Sequence, residues 1–101
     1  MNIPAGPADR AQIPPGKPKL AEGARMRYDP ARQRIVLLLP ERAVFLNETA
    51  AEILGLCDGT RTVPELVAEL KRRYPHAEVE ADVLELIETA AARRWIQWAG
   101  R

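Results

Sequence analysis

Residues 44–60 read VFLNETAAEILGLCDGT, and this stretch predicts a short strand that turns directly into a helix. The valine, phenylalanine and leucine at its start favour a strand. Asn47 suits the N-cap, because its side chain can accept a hydrogen bond from an amide of the first helical turn. Gly59 is expected to close the helix in the left-handed conformation. Apolar residues recur at helical spacing and form one stripe of this helix, namely Ala50, Ile53, Leu54 and Cys57.

Two further strands are predicted before this stretch. Residues 25–29 alternate polar and apolar side chains, which is typical of a half-buried strand. Residues 34–39 form a continuous apolar run that suits a central strand and ends at Pro40. The third strand spans residues 43–46. Short connections favour an antiparallel meander, which places strand 43–46 at one edge of the sheet.

Two more helices are predicted after it. Residues 62–65 (TVPE) fit a capping box with a proline in the first turn, and Pro75 ends the helix that they begin. A third helix is expected from about residue 80 to residue 94. Residues 95–98 form either a final strand or a hydrophobic tail. Three strands followed by three helices predict an α+β fold, a small winged-helix-like domain with a three-stranded antiparallel sheet.

The composition bounds the organisation of the chain and its function. Residues 1–19 are rich in proline and are predicted to be a flexible tail, which leaves residues 20–101 as one domain. A net charge of +1 argues against nucleic acid and anionic membranes as partners. No apolar run approaches the ~20 residues that span a bilayer. The single cysteine indicates a reducing compartment, so the cytoplasm is the expected location.

The side chains suggest no catalytic chemistry. We find no nucleophile paired with a base, no paired carboxylates and no phosphate-binding glycine loop. Cys57 lies on the apolar stripe, and His76 is the single histidine, so a metal site lacks the clustered ligands that it needs. The sequence therefore predicts a protein that is not an enzyme and that holds no cofactor.

Two motifs resemble the PqqD family. They are LLLPERAVFLNETAAEIL at residues 37–54 and DGTRTV at residues 58–63, and the resemblance extends from residue 17 to about residue 98. One departure is Arg94-Trp95, where relatives often carry a small residue such as glycine. The resemblance implies a non-catalytic peptide chaperone. Such a protein binds the ribosomal precursor peptide PqqA and presents it to the radical SAM enzyme PqqE in the biosynthesis of pyrroloquinoline quinone.

The resemblance also implies where a peptide binds. In related recognition domains the peptide adds a strand to the third strand and lies against the third helix. The residues support this mode, because an edge strand has N–H and C=O groups that an extended peptide can pair with. The predicted strand contacts are Ala43, Val44, Phe45 and Leu46. The predicted opposite wall consists of Val83, Leu86, Ile87 and Ala90. Arg93 and Arg94 are the predicted anchors for an acidic group of the peptide.

Two alternatives stay open. The first is a winged-helix DNA-binding protein, with the third helix in the major groove. The acidic residues at the start of that helix would then face phosphates, which is electrostatically unfavourable. The second is a self-association module without a ligand, in which the edge strands of two copies exchange to form a homodimer.

Overall fold

The computed structural model of the protein describes residues 16–100. It contains five strands and three helices in this part of the chain. Their bounds, in chain order, are β1 (Lys17–Leu20), β2 (Arg25–Asp29), β3 (Arg34–Leu38), β4 (Ala43–Phe45), α1 (Glu48–Gly55), α2 (Val63–Arg73), α3 (Val79–Ala92) and β5 (Ile96–Ala99).

The main sheet is the predicted three-stranded antiparallel meander. Its order is β2-β3-β4, so β3 is central and β4 lies at an edge. Leu37 of β3 pairs with Met26 on one side and Val44 on the other. Leu37 is fully buried, because its side chain points toward the helices that cover this face of the sheet. The α+β class and the strand order expected from the sequence are confirmed.

The step from β4 into α1 follows the predicted capping. The Asn47 side-chain oxygen accepts a hydrogen bond from the Ala50 amide at 2.7 Å. The helix ends earlier than expected, because Leu56 is its C-cap and Gly59 lies beyond it. Gly59 does have a positive φ of 85°. Its N–H donates to the carbonyl of Pro18 at 3.0 Å, so this glycine joins the loop to β1 rather than closing the helix.

Helix α2 begins with the predicted capping box. The Thr62 hydroxyl accepts from the Glu65 amide, and the Glu65 carboxylate accepts from the Thr62 amide at 2.8 Å. The last turn is tied back to α1 through Glu52, which accepts hydrogen bonds from Tyr74 and Arg73. These bonds lower the pKa of the Glu52 carboxyl below its usual value. They link α1 to the end of α2 at the exposed surface of the domain.

A second sheet, which the sequence did not predict, pairs β1 with β5. The strands are antiparallel, with Lys17 opposite Ala99 and Leu20 opposite Ile96. The predicted boundary of the tail is therefore wrong in one respect, since residues 17–19 belong to β1. The rest of the predicted tail, residues 1–15, lies outside the described residues. Residues 96–99 take the strand alternative of the two considered for the end of the chain.

Proline at position 18 is compatible with β1 for a geometric reason. The Ala21 amide donates to the Trp95 carbonyl at 2.9 Å, so these two residues form a hydrogen-bonded pair. Such pairs recur at every second position along β1 and β5. Pro18, opposite Trp98, then falls where the backbone faces away from β5. Its missing N–H removes no bond of this ladder. A pairing between residues 76 to 82 positions apart leaves no local signal in the sequence.

The core lies between the inner face of the main sheet and the three helices. Leu37 from the sheet, Ile53 and Leu54 from α1, and Leu66 from α2 are almost completely buried there. Helix α3 packs against α2 and α1 and adds a buried stripe. None of the helices within residues 16–100 is both long and apolar enough to cross a membrane.

Helix α3 ends in a Schellman motif in which an arginine takes the left-handed position. The Trp95 amide donates to the Ala90 carbonyl at 2.8 Å, and the Arg94 amide donates to the Ala91 carbonyl at 3.2 Å. Arg94 has a φ of 63°. A side chain in this conformation costs roughly 1–2 kcal/mol that glycine avoids. The departure noted in the sequence thus falls on a position where glycine fits better.

Replacing Arg94 by glycine should therefore stabilise the domain. We expect Arg94→Gly to raise the free energy of unfolding by about 1 kcal/mol, since relief of strain exceeds the added entropy of the unfolded chain. Urea denaturation followed by circular dichroism measures the change. Arg93→Gly is the matched control, because Arg93 has an ordinary φ of −92° and should gain nothing. Equal effects of the two variants would contradict this explanation.

Candidate functional site

The open edge of β4 presents backbone groups on its outer side. Leu39 and Arg42 exchange hydrogen bonds at the turn before β4, at 2.8 and 3.3 Å. Beyond β4, the Leu46 amide donates to the Ile35 carbonyl at 3.1 Å. Because hydrogen-bonded pairs alternate in an antiparallel ladder, Val44 is the intervening residue that bonds to β3. The N–H and C=O groups of Ala43 and Phe45 therefore point away from the sheet, toward the open edge.

A groove lies beside this edge. It has a volume of about 450 Å³ and is open to solvent. One wall is β4 and the segment that follows it, and α3 forms the opposite wall. Ala50 and Ile53 of α1 contribute between the two walls. An edge strand next to a partly apolar groove is the arrangement that β-strand addition requires.

The four predicted strand residues all adjoin this edge, but they divide between the two faces of the sheet. Val44 is half-buried and Leu46 is buried, and both pack on the inner face with the core. Ala43 is exposed, and Phe45 is 44% exposed on the outer face. Val44, Phe45 and Leu46 also line the groove. Side chains thus alternate between the two faces along this strand, and Phe45 is its large apolar residue that stays accessible.

The wall formed by α3 differs from the predicted one. Val83, Ile87 and Ala90 are fully buried in the core, so they face α1 and α2 rather than the groove. Of the four predicted wall residues, Leu86 lines the groove. The side chains of α3 that share this wall with it are Asp82, Glu85 and Thr89.

Sequence reasoning missed these three residues, although a signal for them exists. Asp82, Glu85, Leu86 and Thr89 follow a second series at i, i+3, i+4 and i+7, displaced from the buried stripe. Asp82 and Glu85 of this series carry carboxylates. They are exposed, but they stand on the rim of the groove, so this wall combines an apolar centre with negative charge.

Trp95 closes one part of the groove. It is 6% exposed, and its indole Nε1 has no hydrogen-bond acceptor among residues 16–100. The Arg93 guanidinium lies 6.0 Å from the centre of the Trp95 ring system. Arg93 and Arg94 are both exposed, and neither lines the groove. Their predicted role as anchors for an acidic group therefore gains no support from this geometry.

Cys57 is not placed for chemistry. Its thiol is buried and donates to the Ile53 carbonyl at 3.3 Å. Burial raises the pKa of the thiol to about 12, so the group stays protonated at neutral pH. Within the described part of the chain, His, Cys, Asp and Glu side chains form no group of three or more that could hold a metal ion.

Comparison with known proteins gives a consistent result. The family model described as coenzyme PQQ synthesis protein D (PqqD) matches residues 34–96. A protein of Azotobacter vinelandii named "PqqA binding protein" is 46% identical over 81 residues, which cover 79% of this chain and 88% of that protein. A protein of the same name from Methylococcus capsulatus is 45% identical over 73 residues, covering 72% and 78%.

A solved structure agrees with these matches. It is the solution structure of the PqqD part of Methylobacterium extorquens PqqCD, reported as a functional and stand-alone recognition element for ribosomally synthesised, modified peptides. The TM-score is 0.67 at 35% sequence identity, over 79% of this chain and 87% of that one. The α+β fold, the motifs at residues 37–63 and the relatives agree, and the chain belongs to the PqqD family.

Proposed function

We propose that this chain is a non-catalytic peptide chaperone of pyrroloquinoline quinone biosynthesis. It binds the precursor peptide PqqA and presents it to the radical SAM enzyme PqqE. The names of the relatives support the binding of PqqA, and family membership supports the pathway. The observation that carries the proposal is the open edge of β4 beside a groove.

Recognition begins with backbone pairing. An extended segment of PqqA aligns with β4 and bonds to the outward groups of Ala43 and Phe45. Each such bond contributes roughly 0.5–1.5 kcal/mol, because both partners exchange water for each other. Side chains of the peptide that point inward enter the groove and contact Leu86, whose side chain is half-buried before the peptide arrives. Pairing supplies affinity, and the groove supplies selectivity.

The absence of catalysis is part of the proposal. Relatives carry the name of a binding protein, and the Cys57 thiol is buried and protonated. The chemistry on the peptide is thus assigned to PqqE, with this chain as the carrier. The cytoplasm is the proposed compartment, for which the single cysteine is the argument.

The two alternatives fit the geometry less well. Docking of α3 into the major groove would bring Asp82 and Glu85, which are exposed, against phosphates. Self-association through β4 would use the same edge as the peptide, so the two events compete. Light scattering over a concentration series, with and without PqqA, separates a homodimer from the peptide complex.

Titration of isotopically labelled protein with synthetic PqqA tests the site. We expect the largest amide shifts at residues 43–46 and along α3 from Asp82 to Thr89. The indole resonance of Trp95 should move, whereas that of Trp98 in β5 serves as an internal control. Shifts confined to the polar face of α2 would contradict the proposal.

Presentation to PqqE needs its own measurement. Sedimentation of fluorescently labelled PqqA should show a ternary species when this chain and PqqE are both added. A variant that fails to bind PqqA should leave no labelled peptide in that species. If the peptide sediments with PqqE to the same extent when this chain is absent, the presenting role is contradicted.

A further inference from the structure

The outer face of the main sheet, which faces away from the helices, carries both basic and apolar side chains. Those of alternate residues point away from the helices, so the strands contribute basic and apolar groups to a common surface. Val36 is buried on this face, outside the main core, and a shallow depression of about 320 Å³ adjoins it. The register places on this face Arg25, Arg27, Asp29, Arg34, Val36, Leu38, Ala43 and Phe45.

Phe45 lies beside two arginine side chains on the β4 side of this face. The guanidinium carbons of Arg32 and Arg34 lie 5.2 and 5.5 Å from the centre of its ring. Both distances allow cation–π attraction, which holds the two cations beside the ring. Arg32 is paired with Asp29 at 3.1 Å, and Arg34 lies near the Leu46 carbonyl at 3.5 Å. Asp29 offsets one of these two cations, so the outer face beside Phe45 has a net positive charge.

The inner face of the sheet has the opposite charge beside β4. The groove there is bounded by the carboxylates of Asp82 and Glu85 on α3. A strand added to β4 places successive side chains alternately on the two faces. One set therefore meets Arg32 and Arg34 around Phe45, and the other set meets the carboxylates.

From this asymmetry we infer that the outer face beside Phe45 binds an acidic side chain of the guest peptide, and that this contact fixes the register of the added strand. The inference rests on the proposed function. A slip of one residue moves every guest side chain to the other face. The same acid would then face Asp82 and Glu85, where like charges repel. Backbone pairing alone cannot distinguish the two registers, because it uses the same groups in each.

The charge contact is tested by a charge exchange between protein and peptide. The probes are synthetic PqqA and a set of PqqA variants in which each Asp or Glu is replaced singly by Lys. We expect Arg34→Glu to weaken the binding of unmodified PqqA about tenfold, as measured by calorimetry. One Lys variant of the peptide should recover the lost affinity when it is paired with Arg34→Glu. The same peptide should bind the parent protein poorly.

A matched control separates this contact from an effect of net charge. Lys71→Glu changes the charge of the protein equally, but on the exposed face of α2. It should leave the affinity within about twofold. Higher salt should weaken binding to the parent protein more than binding to Arg34→Glu. Equal losses in Arg34→Glu and Lys71→Glu would overturn the inference.

The position of the acid is observable directly, since Phe45 is the single phenylalanine of the chain. With the ring selectively labelled, nuclear Overhauser contacts should connect it to the guest residue identified by the charge exchange. Unchanged affinity of Arg34→Glu for PqqA and for every Lys variant would overturn the inference. If Ala43→Pro still weakened binding at least tenfold in that case, the proposed function would stand without the inference. If neither variant changed the affinity, the proposed function would fail as well.

Discussion

Ala43→Pro is expected to weaken the binding of PqqA at least tenfold while leaving the domain folded. The Ala43 N–H points to the open edge, so its loss removes a donor for the guest strand and no bond to β3. The proline ring also occupies the space where the guest backbone would lie. Loss of pairing should raise Kd by at least tenfold, equivalent to about 1.4 kcal/mol. Calorimetry with synthetic PqqA measures the affinity.

The matched control for this variant is Ala43→Val. It adds a larger side chain at the same exposed position but keeps the N–H, and β-branched residues suit strands. We expect parental affinity. Thermal denaturation should show that both variants remain folded, because proline is tolerated on the outer side of an edge strand. Parental affinity of Ala43→Pro would show that the peptide does not pair with β4.

Ile87→Ala is expected to have the largest effect on stability. The Ile87 side chain is fully buried between α3 and the rest of the core. Truncation of a buried isoleucine removes its transfer free energy and leaves a cavity, at a cost of about 2–5 kcal/mol. A domain of this size has a free energy of unfolding of the same order. Urea denaturation should therefore show a largely unfolded variant at ambient temperature.

Leu86→Ala is the matched comparison one residue earlier. Leu86 is half-buried and lines the groove, so its truncation should cost clearly less stability than that of Ile87. It should weaken PqqA binding, because the peptide then loses an apolar contact. A stable Ile87→Ala variant with weakened binding would instead return Ile87 to the groove wall, where the sequence had placed it.

Local rules predicted most of the elements. The Asn47 cap, the capping box at residues 62–65 and the alternation along β4 each depend on neighbours within a few positions. Helix α2 began within one residue of its predicted cap for that reason. The three-stranded order followed from short connections. These features were readable because their hydrogen bonds are made within a short span of the chain.

Two features were missed because they depend on which distant elements pack side by side. The β1–β5 pair joins opposite ends of the described chain, and the prolines near residue 18 favoured a tail. The wall of the groove was assigned to the apolar stripe of α3, which in fact packs in the core. Helical periodicity identifies a buried face, but it does not say what lies beside that face. The adjacent carboxylates became part of the site only because β4 lies opposite them.

The pairing of β1 with β5 has a topological consequence. Lys17 lies opposite Ala99, and the backbone carbonyl of Gly100 approaches Gly16 so closely that a β-carbon there would lie 2.8 Å from it. A short glycine linker could therefore join residue 100 to residue 16, and the exposed loop at residues 75–78 could be opened instead. Such a circular permutant would keep the chain from β4 through α2 continuous, while α3 would precede it in the new order.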